Sequence, residues 1–145
     1  MAAFGVIVRD DGGEARWWFV GRCVANSALL VEAWALRIAC MAARDMGERE
    51  FIFETDCLEL INCICNRKME APWESYAIVE DIRTLASNAL TANSNWSFNW
   101  CNRKKNRVAH WLAHCNYPNI FSGSNICPVG LRRIVEEDVI RLSDE

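Results

Sequence analysis

The sequence predicts an α/β domain, a mixed central sheet flanked by helices, and three stretches carry that prediction. Ala3–Val8 and Ala15–Val20 are β-branched and aromatic runs around the turn-forming cluster Arg9-Asp10-Asp11-Gly12-Gly13, which is the pattern of a β-hairpin. From Ala28 to about Met46, Leu29, Ala33, Leu36, Ala39, Cys40 and Ala43 trace one apolar stripe at helical spacing. Phe51–Ile64, FIFETDCLELINCI, opens as a buried strand and continues with Leu58, Ile61, Ile64 and Cys65 at helical spacing. A strand running straight into a helix is the unit from which α/β sheets are built.

Each element has local reasons to start and stop. Asp10 and Asp11 beside a glycine turn are expected to be solvated turn residues rather than ligands. Gly21–Ala25 either adds a third strand or leads out of the hairpin. Trp17 and Trp18 are adjacent, so in a strand one of them faces outward. Asn26 or Ser27 caps the long helix, and Gly47 ends it. Pro72 and Trp73 mark a break, after which Tyr76 to about Ser87 is amphipathic, with Ile78, Val79, Ile82 and Leu85 inward. Ser87–Asn95 is a loop or a frayed helix end. Trp96, Phe98 and Trp100 alternate with Ser97 and Asn99, a period-two strand whose tryptophans are expected in the core rather than as base-stacking platforms. A helix opens near Asn106, with Val108, Ala109, Leu112 and Ala113 inward. Asn116–Gly130 carries two prolines and two glycines and is expected to be irregular, and Leu131, Ile134, Val135 and Leu142 allow a last short helix. The domain is therefore expected over residues 3–115 and a tail over 116–145.

Composition narrows the function classes. A chain of 145 residues that is 52% hydrophobic and 24% charged suits one globular domain, not a disordered segment. A net charge of −3 argues against a surface coated in positive charge, so nucleic-acid binding requires a local basic cluster. Arg103, Lys104, Lys105 and Arg107 form one, between the last strand and the helix that follows. Eight cysteines follow no secretory signal, and several sit inside apolar helical patterns, so they are expected to be reduced and buried. Cys63 and Cys65 lack the spacing of a zinc site. No apolar run would span a bilayer, and the expected setting is intracellular, in cytoplasm or nucleus, with no membrane partner.

Two acids stand out. Glu32 is the only acid in the first half of the long helix, at the edge of its core-facing stripe, and a buried carboxylate is costly unless paired or bound to metal. Asp56 sits where a strand ends and a helix begins, the edge at which α/β sheets bind ligands. It is either the helix N-cap or part of a site, and position alone favours the cap.

The ordered set IVRDDGG, ALLVEAWALRIACMAARDMG, FIFETDCLELINCI, APWESYAIVEDIRTL and NRVAHWLAH resembles the ribonuclease H-like superfamily, specifically the reverse-transcriptase-like RNase H domains of plants, over Phe4–His114. The resemblance implies an RNase H-like fold and two-metal hydrolysis of the RNA strand of an RNA–DNA hybrid, with Mg²⁺ or Mn²⁺ as cofactor. It makes Glu32 the helix acid and Asp56 the central-strand acid, both metal ligands, and places His110 at the last-helix position. It assigns Arg103, Lys104, Lys105, Asn106 and Arg107 to nucleic-acid contact. The family's first acid lies on a strand before the hairpin. This sequence begins inside the second strand, so that strand and its acid are expected to be missing. With fewer hard oxygen donors than the family's set, hybrid cleavage is expected to be weak or absent, leaving a nucleic-acid-binding or protein-interaction module as the alternative.

Overall fold

The structure, a computed structural model, describes residues 2–66, 68–103 and 121–124, the last four by backbone alone. The helix expected from Asn106 and the short helix over 131–142 lie outside the described residues. The described elements fall into two compact units, one containing the hairpin and the other spanning Ala25–Asn102.

In the first unit, β1 (Ala2–Arg9) and β2 (Ala15–Cys23) pair antiparallel, with Phe4 opposite Gly21 and Val6 opposite Phe19. The segment left open at Gly21–Ala25 is resolved in favour of a longer second strand, because pairing continues to Cys23. The ring of Phe4 crosses Gly21, where a Cβ would come within 2.6 Å of both the Phe4 and Phe19 rings. Only glycine leaves room for that stack. The turn is closed by Asp10, whose carboxylate accepts from the Glu14 amide at 2.9 Å and pairs with Arg16 at 2.8 Å. Those contacts hold the Asp10 carboxyl below the usual carboxylate range, the amide bond counting most. Trp18 is buried, and Trp17 stacks on Phe19 at 5.9 Å. The expected outward tryptophan is thus half-buried, held by its same-face neighbour two residues along. Four residues of the stretch expected to be irregular, Phe121–Ser124, form β5, antiparallel to β2 from Trp17↔Ser124 to Val20↔Phe121. The β2 edge offers unpaired backbone groups, and pairing them outweighs the glycine in this short strand.

The second unit is built on α1 (Ala28–Met46). Ser27 caps it, its Oγ accepting from the Leu30 amide at 3.2 Å, and Gly47 ends it at φ 66°, donating to the Ala43 carbonyl. Leu29, Ala33, Leu36, Cys40 and Ala43 are buried, as the stripe requires. β3 (Glu50–Thr55) lies parallel to β4 (Asn95–Trp100), with Phe51 beside Trp96, Phe53 beside Phe98 and Thr55 beside Trp100. Parallel strands need a crossover. It is supplied by α2 (Leu58–Cys65) and α3 (Trp73–Thr91). Phe53 anchors the sheet to the core, 4.9 Å from the Phe98 ring and 5.0 Å from Trp96.

Two helices differ from expectation. On α2 the buried residues are Leu60, Ile61, Cys63 and Ile64, while Leu58 and Cys65 are exposed. An eight-residue helix shows too few turns for periodicity to fix its inner face. α3 starts three residues earlier and runs through Ser87–Thr91, because Pro72 sets its entry and the Ala-rich end favours helix over loop. Arg83 on α3 donates to the Cys63 and Met69 carbonyls and pairs with Glu80, tying α3 to the end of α2. Among the described residues, no helix is long and apolar enough to cross a membrane.

Core truncation should report this arrangement. Ile82, fully buried on α3, should lose about 2–5 kcal/mol of unfolding free energy as Ile82→Ala, read from the urea midpoint. Trp73→Ala, at an exposed position on the same helix, should stay within about 0.5 kcal/mol of the parent.

Burial also pushes the Cys40 thiol from 9.0 up to about 12. The unfolded chain therefore releases that proton first, and stability falls as pH rises from 9 towards 12. The stability difference between the parent and Cys40→Ala should narrow by roughly 1.4 kcal/mol per pH unit in that window. A difference that does not change with pH would show Cys40 to be accessible.

Candidate functional site

The carboxyl end of β3 gathers the acids through a threonine. Thr55 shares the inward parity of Phe51 and Phe53, and only 4% of it is exposed. A buried hydroxyl needs partners. It donates to Glu32 Oε2 at 3.2 Å and accepts from the Cys57 amide at 3.2 Å. The Thr55 carbonyl accepts from the Cys101 amide at 2.9 Å. One residue therefore links α1, the β3–α2 turn and the end of β4.

Asp56 follows at a bend, half-buried, with its carbonyl accepting from the Trp100 indole Nε1 at 3.1 Å. It is not the N-cap that position favours. α2 begins at Leu58, so the cap position is Cys57, which makes no side-chain cap hydrogen bond. The turn takes one residue more than the periodicity implies, and Asp56 is left outside the helix. Cys57 registers the surrounding charge. Burial raises its pKa first, the negative charges of Glu32, Glu59 and Asp56 raise it further, and the Leu60 amide acts in the opposite direction. Glu32 and Asp56 therefore both act on the same small turn.

The metal-ligand role given to these acids can be tested against the donor set. Mg²⁺ takes near-octahedral oxygen coordination, and a two-ion site needs several carboxylates. Among the described residues there is no group of three or more His, Cys, Asp or Glu that could hold a metal ion. One oxygen of Glu32 already accepts the Thr55 hydroxyl. The described residues do not fit a pair of divalent ions.

The other site residues divide sharply. Arg103 is exposed in the turn after β4 and has bonded or electrostatic partners of its own. Lys104, Lys105, Asn106, Arg107 and His110 lie outside the described residues. Trp96 packs edge-on against Phe53, as expected of a core residue, but Trp100 is 52% exposed. It has the same parity as Trp96 and Phe98, yet at the last residue of β4 it is exposed although its strand partner Thr55 and the following Cys101 are buried. Thr55 was not legible as a site residue. Its only sequence signal is a hydroxyl at an inward strand position next to Asp56.

Residues 1–115 match the family described as reverse transcriptase-like. The chain belongs to that family. Its members are RNase H-like domains. Among solved structures, the reverse transcriptase-like chain is similar to RNase H1 from the halophilic archaeon Halobacterium salinarum NRC-1, with a TM-score of 0.62 and 21% identity, covering 77% of this chain and 81% of that one. At that identity the likeness is one of fold. No curated protein matches the chain.

Thr55→Val keeps the shape and removes the hydroxyl. It leaves the Cys57 amide unpaired and takes a donor from Glu32, so it should lower stability by about 1–3 kcal/mol. Thr55→Ser should recover most of that. Equal urea midpoints for Thr55→Val and the parent would remove Thr55 from its linking role.

Proposed function

We propose that this reverse transcriptase-like chain is an RNase H type 1-like domain that binds nucleic acid, an RNA–DNA hybrid or RNA. Its hybrid cleavage is weak or absent. The observation that carries this reading is the hydrogen bond that holds Glu32 of α1 to Thr55, the residue before Asp56 at the end of β3. Family membership and the RNase H1-like fold support the nucleic-acid class. The donor set among the described residues supports the low activity, because two carboxylates leave a pair of divalent cations short of oxygen ligands. The basic run Arg103, Lys104, Lys105 and Arg107, with Asn106 within it, is assigned to the phosphate backbone, where each neutralised phosphate releases condensed counterions.

Binding of a labelled hybrid duplex should weaken with added salt. Lys104→Ala with Lys105→Ala should flatten the plot of log affinity against log salt by about one unit of slope per lost contact. An unchanged slope would make the cluster a solvated turn. Titration with Mg²⁺ or Mn²⁺ should show at most one weak site, lost in Glu32→Gln with Asp56→Asn.

Cleavage of the same hybrid should be negligible in the 145-residue chain. Robust cleavage abolished by Asp56→Asn would overturn the low activity while keeping the chemistry at this turn. Cleavage indifferent to Asp56 would sink the assignment of the site.

A second reading, a protein-interaction module, is favoured by one feature. Trp73 and Tyr76 stand exposed on one face at the start of α3. A nucleic-acid-free complex lost on Trp73→Ser with Tyr76→Ser would support it.

A further inference from the structure

Trp100 stands at the acid turn with an exposure that the proposed carboxylate chemistry does not account for. Its parity is that of Trp96 and Phe98, both packed against the core, yet 52% of it faces solvent. Its polar atom is already engaged, since Nε1 donates to the Asp56 carbonyl at 3.1 Å. What remains exposed is therefore aromatic surface, on a ring tethered at both its backbone and its nitrogen. Leu58, two residues after Asp56, is 55% exposed, so a second large apolar side chain flanks the same turn. Phosphates are repelled by Glu32 and Asp56, whereas a neutral nucleobase is not. Of the parts of a nucleotide, the base is the one that suits this edge.

We propose that Trp100 is a stacking platform for an unpaired nucleobase at the carboxyl edge of β3 and β4. The proposal rests on the nucleic-acid reading above and narrows its ligand to single-stranded RNA, or to the single-stranded part of a hybrid with an overhang. Paired bases already hide both faces in the duplex stack, so a blunt hybrid has no base to offer along its length. A base laid on the indole covers aromatic surface that folding leaves wet, and stacking of this kind is tolerant of base identity because every base has a π-face. The bond to the Asp56 carbonyl restricts the ring beforehand, which lowers the entropy lost when a base settles on it. Trp100 thus acts as a binding residue and takes no part in bond cleavage.

The test compares a fluorescein-labelled single-stranded RNA with a blunt RNA–DNA hybrid of equal length, read by anisotropy at fixed salt. Trp100→Leu keeps apolar bulk and removes the π-face, and should weaken single-strand binding about five- to a hundredfold. Trp100→Phe should retain most of the affinity, and both variants should bind the blunt hybrid as the parent does. Single-strand binding that is unchanged in Trp100→Leu, or weakened equally for both ligands, would overturn the proposal while leaving the nucleic-acid reading intact. A parent chain that binds neither ligand would overturn that reading and this proposal with it.

Should Trp100→Leu fail to fold, indole emission decides. Single-stranded RNA should quench the parent's fluorescence more than it quenches Trp100→Phe. Equal quenching would place the base elsewhere.

Discussion

The need to satisfy one buried hydroxyl organises the second unit. Thr55 ends β3 with its side chain turned into the core, where an unpartnered hydroxyl costs free energy. Its three hydrogen bonds reach a helix acid, the amide that opens the next helix and the amide after the neighbouring strand. Each constrains something different. The bond to Glu32 draws a carboxylate of α1 to the sheet edge. The bond from Cys57 sets where α2 can begin. The carbonyl bond from Cys101 extends the parallel register of β3 and β4 beyond Trp100. Glu32 is held at the residue before Asp56 because those constraints meet in Thr55.

The long-period features of this fold were legible in the sequence. α1 has five turns of stripe, a serine cap and a terminal glycine, so its limits and its inner face follow from pattern alone. The strand alternation of Trp96 and Phe98 was equally clear, and so was the hairpin around the Asp-Gly turn. Short or terminal features were not. On α2, two turns of helix carry apolar residues on more than one face, and Leu58 was given a core position that Leu60 occupies. α3 was cut short because Ser, Asn and Thr near its end resemble a loop, although the alanines and Leu90 among them sustain the helix.

The same distinction separates the site residues. Glu32 and Asp56 could be named because their order among the motifs matched a family pattern, not because either position was decisive. Asp56 alone suggested a cap, and the structure assigns that place to Cys57. The burial of Thr55 and the exposure of Trp100 escape the sequence for opposite reasons. Thr55 looks like an ordinary strand residue until its hydroxyl is found buried. Trp100 looks like a core residue until its ring is found half in solvent. Periodicity gives the face on which a side chain lies. It does not give the depth of packing over that face, which depends on where neighbouring elements stop.

That depth bears on what the acid turn can do. Two carboxylates near a half-buried thiol make a locally negative edge, and their charge adds to the burial that raises the pKa of that thiol. Without cations such an edge repels phosphate, so a nucleic acid bound as proposed would be held from elsewhere along its backbone and present a neutral part here. In the proposed reading, a basic run that follows β4 in the sequence and an aromatic ring at the end of β4 would divide the work in that way. The run would answer to the charge that every nucleotide carries, and the ring to a base left unpaired. Salt would weaken the first and scarcely touch the second, because stacking releases no counterions. The two contributions are therefore physically separable even though only two residues divide Trp100 from Arg103 in the chain.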